Sequence, residues 1–380
     1  MILEVFSIKT QQRVGMVNTY KFVQYIDEFC GVGSFSLIVP ITEKSLPILD
    51  KHHFLLLDNN IMGVIRYRHK VSEEDSTVEI KGYLLNRILE YRSFLTTKSL
   101  KGAITTVARE IVDYFFINNL DERRNIPLIK LSEDSKYIPE SSTISTQSTG
   151  KSVEYILESI LGPIGYGFSL VPVISKLDYE SSKVTNLSSI EFRIHKPADR
   201  SVGNTEGNSP VVFSTYMNNL YSSSYTEDDT DYYSVAIVAG EGEGDSRVVV
   251  EVGDGQAYGL DRIELYVDAR DIQSVSGDKV LTEEEYIATL MSRGYSRLNE
   301  HPSYTFLEGS AIDGASSYVY GRDFFNGDYV TIIDEEIGIS AKVQISEVTK
   351  SLTENGERLD ITFGKERVAI QKIIRKRGIV

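Results

Sequence analysis

The chain has 380 residues, enough for two to three domains at the usual ~100–200 residues each. Hydrophobic residues make up 41% and charged residues 25%, a globular balance that excludes disordered and fibrous classes for the whole molecule. The formal charge of -15 argues against a surface that grips nucleic acid or anionic lipid, because phosphate binding is supplied largely by Lys and Arg.

No apolar run reaches the ~20 residues that span a bilayer, and Ile160–Ile174 is broken by Gly162, Pro163, Gly165 and Gly167, so no membrane insertion is expected. Met1-Ile2-Leu3-Glu4 has no basic segment followed by an apolar one, and the single Cys30 cannot close an internal disulfide. Synthesis in a reducing cytoplasm is the expectation.

From Met1 to about Tyr91 the chain reads as short strands, such as Phe35–Pro40 and Thr77–Gly82, rich in Val, Ile, Phe and Tyr and bounded by turn residues. A small antiparallel barrel or sandwich follows from that pattern. The period then changes: Ile104, Val107, Ala108, Ile111, Val112 and Phe115 share one helical face. After a Ser/Thr-rich stretch, Val153, Ile156, Leu157, Ile160 and Leu161 form a second helical stripe that Gly162-Pro163 stops. Strands are predicted at Gly167–Ile174 and Ile190–His195, making an α+β insert of roughly residues 96–200.

Ser201–Pro210 reads as an exposed loop, and strands resume at Val211–Phe213 and Ser234–Ala239. Thr282 caps a run opening Glu283-Glu284-Glu285, acids suited to the positive end of a helix, with Tyr286, Ile287, Leu290, Met291 and Leu298 at helical spacing. Strands close the chain at Tyr329–Asp334, Ser340–Val348 and Arg358–Gly364. Two stretches share a layout. His53–Asn60, Val64–Val71, the acidic turn Glu73-Glu74-Asp75 and Val78–Gly82 match Asp328–Glu336, Ala341–Val348, the turn Glu354-Asn355-Gly356 and Leu359–Gly364 in pattern, though not in identity.

Catalytic and ligand-binding signatures are weak throughout. His52, His53, His69, His195 and His301 are scattered without metal-ligand spacing, so no metal is expected. Thr149-Gly150-Lys151-Ser152 resembles the end of a phosphate loop, but Ser145 stands where the first glycine belongs, and a polar loop before a helix start is the better reading. Gly240-Glu241-Gly242-Glu243-Gly244 precedes the strand-like Arg247–Val250 where a dinucleotide loop needs a helix, so a hairpin turn is expected. The acidic Glu227-Asp228-Asp229-Asp231 lacks the glycine and distal glutamate of a calcium loop. No nucleophile elbow occurs, and neither a catalytic residue nor a cofactor is assigned. The cationic end of the chain is the one charge anomaly: Lys372, Arg375, Lys376 and Arg377 lie among Ile370, Ile373 and Ile374, and read either as a protein-docking strip or as a solvated basic helix end.

Val235–Gly244 with Arg247-Val248-Val249, then Gly259–Arg262 and Tyr266–Ile272, resemble the siphophage tail-hub family, which includes the structural N-terminal part of tail-associated lysins. Tyr320–Phe324, Asn326–Val330 and Ile361–Gly364 fit its C-terminal block. The resemblance implies a mostly β, α+β fold of two related small β-barrels with α+β inserts, as in phage baseplate hubs. Applied to this chain it places a first barrel at 1–95 and an insert at 96–205. A second barrel is placed at 206–255 and 318–368, a small helix-containing insert at 256–317, and a basic tail at 369–380.

The same resemblance implies a structural, non-enzymatic role in a bacteriophage or prophage tail tip. Three chains would present six similar barrels to a six-fold tail ring, as a homotrimer that gates exit of the tape-measure protein and DNA. Expected partners are further copies of the chain, the distal tail ring protein, the tape-measure protein and other tail-tip or receptor-binding proteins. An acidic lumen would offer few contacts to retard DNA. Relatives that continue into a hydrolase region do so past the point where this chain stops, so their activity is not carried over. The alternatives are a tail-associated cell-wall hydrolase and a host receptor-binding module.

Overall fold

Alternating apolar and polar residues build the first seven strands: β1 (Leu3–Ser7), β2 (Arg13–Val17), β3 (Phe22–Glu28), β4 (Ser34–Pro40), β5 (His53–Asp58), β6 (Ile61–Ser72) and β7 (Thr77–Leu84). A single helical turn, α1 (Ser45–Ile48), lies between β4 and β5. The computed structural model describes residues 2–42, 45–51, 53–72, 76–175, 186–276, 279–311, 318–334, 339–353 and 356–364. The strands form one curled antiparallel sheet in the order β3-β4-β7-β6-β5-β1-β2. Its inner face buries Leu3, Val5, Val23, Leu37, Leu55, Ile65 and Ile80. The period-2 alternation turns Phe6, Phe54, Met62 and Val64 outward, where they join the core of the next domain rather than meeting water.

That domain begins earlier than residue 96, because Leu85, Ile88 and Leu89 of the 3-10 helix Leu85–Tyr91 already belong to its core. It contains β8 (Lys98–Ala103), α2 (Ile104–Val112), β9 (Ile129–Leu131), β10 (Thr143–Ser148), α3 (Val153–Leu161), β11 (Gly167–Ser175) and β12 (Asn186–His195). Both helical stripes predicted from spacing are buried, and α2 runs on into a π-helical turn, Asp113–Ile117, that buries Phe115 and Phe116. Asn86 fastens this domain to the barrel: its Nδ2 donates to the Gly31 carbonyl at 2.8 Å, and its Oδ1 accepts from the Leu170 N–H at 2.8 Å.

The chain then returns to a second curled sheet through β13 (Val212–Ser214) and β14 (Tyr221–Asp228). It leaves again for β15 (Val235–Ala239), β16 (Val249–Gly253), β17 (Glu264–Asp268), the short pair β18 (Val275–Ser276) and β19 (Lys279–Val280), and α4 (Glu283–Leu298). The last strands are β20 (Tyr304–Ala311), β21 (Tyr329–Asp334), β22 (Ile339–Thr353) and β23 (Gly356–Gly364). The order is β14-β20-β23-β22, with β21 on β22 and β13 parallel to β21. Phe213, Val330, Ile332, Ile345, Ile361 and Phe363 fill its core.

The expected boundaries of this half differ from the hydrogen bonding. The sequence pattern places residues 206–255 in the second barrel, yet β15 and β16 pair with β17 in a separate sheet, order β16-β15-β17, which packs on α4 through Val238, Val252, Tyr286 and Leu290. Conversely, Tyr304–Ala311 pairs with β14 and β23 and so belongs to the barrel, not to an insert ending at 317. The physical reason lies in β15. Val-Ala-Ile-Val-Ala is apolar on both faces and carries no alternation to say which sheet it joins.

The duplicated layout extends to single residues. The orders β3-β4-β7-β6-β5 and β14-β20-β23-β22-β21 are the same path. The ladder between β6 and β7 slips between Ile65 and Tyr67, and that between β22 and β23 slips between Ile345 and Glu347. Aligning the slips superimposes Ile65 on Ile345 and Ile80 on Ile361, and carries through the adjoining ladders to Leu55 on Val330 and Tyr25 on Tyr225. A bulge is a specific local device, and its recurrence at one place in two ladders marks a repeated domain rather than two generic hairpins. The acidic turn 73–75 and residues 335–336 and 354–355 of the compared turns lie outside the described residues.

Candidate assembly interface

The two barrels are joined by one strand that serves both. Along one edge β22 pairs with β23. Along the other its first part, 339–344, pairs with β21, and after the bulge its second part, Glu347–Thr353, pairs antiparallel with β3. Ser346 marks the fork: its carbonyl accepts the Phe29 N–H at 3.0 Å and its hydroxyl donates to the Thr362 carbonyl at 3.1 Å. Leu352 consequently packs into the first barrel's core although its strand belongs to the second.

Side chains close this seam. Gln24 Nε2 donates to Ser351 Oγ at 3.0 Å, and Tyr25 Oη donates to Asp58 Oδ2 at 3.1 Å. Lys350 Nζ lies 2.6 Å from Glu357 and 3.5 Å from Asp58, so one ammonium spans both barrels. Burial, reinforced by the Asp58 charge, pushes the Tyr25 phenol far above its ordinary value. Asn326 Nδ2 donates to the Asp27 carbonyl at 2.8 Å. Loss of solvent pushes the Asp27 carboxyl up to about 6, against the lowering effect of hydrogen bonds from Asn326 and Tyr320. Gly327 is required here: its φ is +94°, and a Cβ would stand 2.1 Å from the Phe29 ring.

The segment that leaves the first insert is anchored beside this junction. Asp328 accepts Arg200 Nε–H at 2.7 Å and the N–H groups of Ala198 and Phe325, each at 3.0 Å. The interface is therefore built as a sheet continuation with charged groups at its margin.

The candidate motifs of the sequence fall elsewhere. Ser152 Oγ caps α3 by accepting the Tyr155 N–H at 3.1 Å, and Lys151 lies over the Tyr155 ring, so the phosphate-loop likeness resolves into a helix start. A strand, β10, does precede it, where a polar loop was expected. Gly240–Gly244 begins the β15–β16 connection, as a hairpin turn should. Its neighbour Arg247 is occupied by the carbonyls of Ala239 and Gly240 and by Asp268. Among the described residues no cluster of His, Cys, Asp or Glu could hold a metal ion, and no helix is long and apolar enough to cross a membrane. Lys372, Arg375, Lys376 and Arg377 lie outside the described residues, as does His52.

One pair escapes sequence reasoning. Ser169 Oγ and His195 Nε2 stand 2.6 Å apart on the paired strands β11 and β12. Burial, with Arg193 nearby, lowers the imidazole to about 4. The ring is edge-on to Tyr137.

A family model described as "Siphovirus ReqiPepy6 Gp37-like protein" matches residues 2–365. Similar folds occur in three solved tail proteins. That from Neisseria meningitidis MC58 shares 14% identity over 96% of each chain, with a TM-score of 0.54. The 43 kDa tail protein of prophage MuSo2 from Shewanella oneidensis shares 12% over 96% of this chain and 98% of its own, with a TM-score of 0.55. Prophage tail protein gp18 from Listeria monocytogenes EGD-e shares 12% over 99% of this chain and 98% of its own, with a TM-score of 0.51. No curated protein matches.

Proposed function

The chain belongs to the Siphovirus ReqiPepy6 Gp37-like protein family, a family of tail proteins, and on that footing we propose that it is a structural hub of the tail tip. In this reading three copies form a ring, in which six similar barrels meet the six-fold tail above while the inserts keep three-fold order. The observation that carries it is the repeat itself: two barrels of one strand order, alike down to the bulge beside Ile65 and Ile345, fused by a shared strand. A symmetry adaptor needs two equivalent units per chain held in a fixed relation, and a seven-residue ladder supplies that relation.

The role is positional rather than catalytic. The ring would bind the distal tail ring protein, hold the end of the tape-measure protein and open to release it with the DNA. Lys372, Arg375, Lys376 and Arg377 are proposed to dock on acidic protein surface, which predicts salt-sensitive association that a truncation after Gly364 weakens.

Class averages of negatively stained protein, alone and mixed with its tail-ring neighbour, test the assembly. Three-fold rings in either sample support it. Monomers in both remove the ring and bring cell-wall hydrolysis and host-binding assays forward.

A further inference from the structure

The fork in β22 has a counterpart in β6 that is only half used. In β6, residues 61–64 pair with β5 along one edge, and beyond Ile65 that edge carries no strand among the described residues. At the corresponding place in β22, the edge beyond the bulge is filled by β3. The strand equivalent to β3 in the second barrel is β14, which pairs with β20 on one side and, among the described residues, ends the sheet on the other. Each chain therefore displays both halves of the contact that it makes internally, one on each barrel.

We propose that β14 pairs antiparallel with the second half of β6 from another copy of this chain, in the register of the β3–β22 seam. The proposal rests on the ring reading above and names the surface that would build it. The aligned ladders set the register without adjustment. Val348↔Asp27, Thr349↔Ile26 and Lys350↔Tyr25 become Arg68↔Glu227, His69↔Thr226 and Lys70↔Tyr225. The match ends at the second slip of β6, between Lys70 and Ser72.

Charge favours a second copy, and a head-to-tail one. The β6 half reads Arg66-Tyr67-Arg68-His69-Lys70, a basic run on a chain of net charge -15, whereas β14 ends in Glu227-Asp228. His69, Lys70 and Glu227 are exposed; Arg68 holds Asp50 at 2.8 Å from the flanking turn. Pairing β6 with β6 about Arg68 would set like charges opposite each other, which is destabilising across a ladder, and pairing β14 with β14 offers no cation to Glu227 or Asp228. Only the heterologous pairing joins opposite signs. It also repeats within the assembly the barrel-to-barrel relation present within the chain, so successive barrels of a ring would be related alike. It would further cover two strand edges that otherwise invite disordered aggregation.

Paired cysteines test the register, because facing Cα atoms in an antiparallel ladder lie at a spacing that a disulfide can bridge. In a Cys30→Ser background, His69→Cys with Thr226→Cys is expected to give reducible covalent dimers and larger oligomers under mild oxidation. Ile26→Cys with Thr349→Cys is the intrachain control and should close within the monomer, detected as loss of both free thiols by mass. Assembled particles in which the control closes while the first pair stays monomeric on a non-reducing gel would overturn this seam and leave the ring standing. A chain that stays monomeric at its highest soluble concentration and links nothing between copies would overturn both.

Discussion

Arg200 and Asp328 form an ion pair of 2.7 Å between the end of the first insert and the start of the second barrel's three-strand meander, with side-chain exposures of only 19% and 7%. The same carboxylate accepts the N–H groups of Ala198 and Phe325, so one side chain satisfies three donors from two distant segments. Asp328→Ala would leave the guanidinium short of its partner and two N–H groups unmatched, and is expected to cost about 3–5 kcal/mol. Urea denaturation of the purified chain measures this. A loss below about 1 kcal/mol would mean that water replaces the carboxylate.

The repeat can be probed by symmetric truncation. Ile65 and Ile345 are both fully buried and stand beside equivalent bulges. Ile65→Ala and Ile345→Ala should each destabilise by about 2–5 kcal/mol, the range for removing a large aliphatic side chain from a packed core. They lie in separate cores, so the double variant should be close to additive. Thermal unfolding of the two singles and the double decides the matter, and strong non-additivity would argue that the two cores respond as one.

Asp27 makes seam stability depend on pH. Its folded-state value of about 6 lies above the ~3.9 of an unfolded aspartate, so its contribution is fully present below about pH 4 and is lost as pH rises towards 6. Asp27→Asn keeps the shape without the charge, and should raise stability at pH 8 and flatten the profile between pH 4 and 6. An unchanged slope over that window would show that the carboxyl is ionised and solvated in the fold.

His195 acts in the opposite sense. Its folded-state value of about 4 lies below the ~6.5 of an unfolded histidine, so its contribution is present above about pH 6.5 and is lost as pH falls towards 4. His195→Gln retains a partner for the Ser169 hydroxyl without a titrating ring, and should weaken the acid sensitivity between pH 6.5 and 4. NMR titration of the ring protons gives the direct check: a midpoint near 6.5 would contradict the burial argument.

What sequence reasoning reached and what it missed divide along physical lines. The stripes of α2 and α3 were legible because spacing of three and four residues is a local property, and local capping chemistry marks the start of α3 at Ser152 and that of α4 at Thr282. The paired hairpins were legible as alternation. The β3–β22 seam was not, because it joins residues more than 300 positions apart, and nothing near Tyr25 announces Lys350. Ser169 and His195 likewise meet only through strand register. The boundary at 255 failed where Val235–Ala239 is apolar on both faces and its sheet is settled by the packing of α4.

The placement of the second insert has a further consequence. Asp228 and Tyr304, where the chain leaves and rejoins the barrel, are direct partners across the β14–β20 ladder. Everything between them is thus a detour hung from the tip of one hairpin, and its length or content places no demand on the register of the strands below. Such an attachment behaves as a cassette: it can be exchanged, enlarged or reduced to a tight turn while the barrel keeps every pairing it has, and what changes is its contact with the first insert, where α4 meets β10.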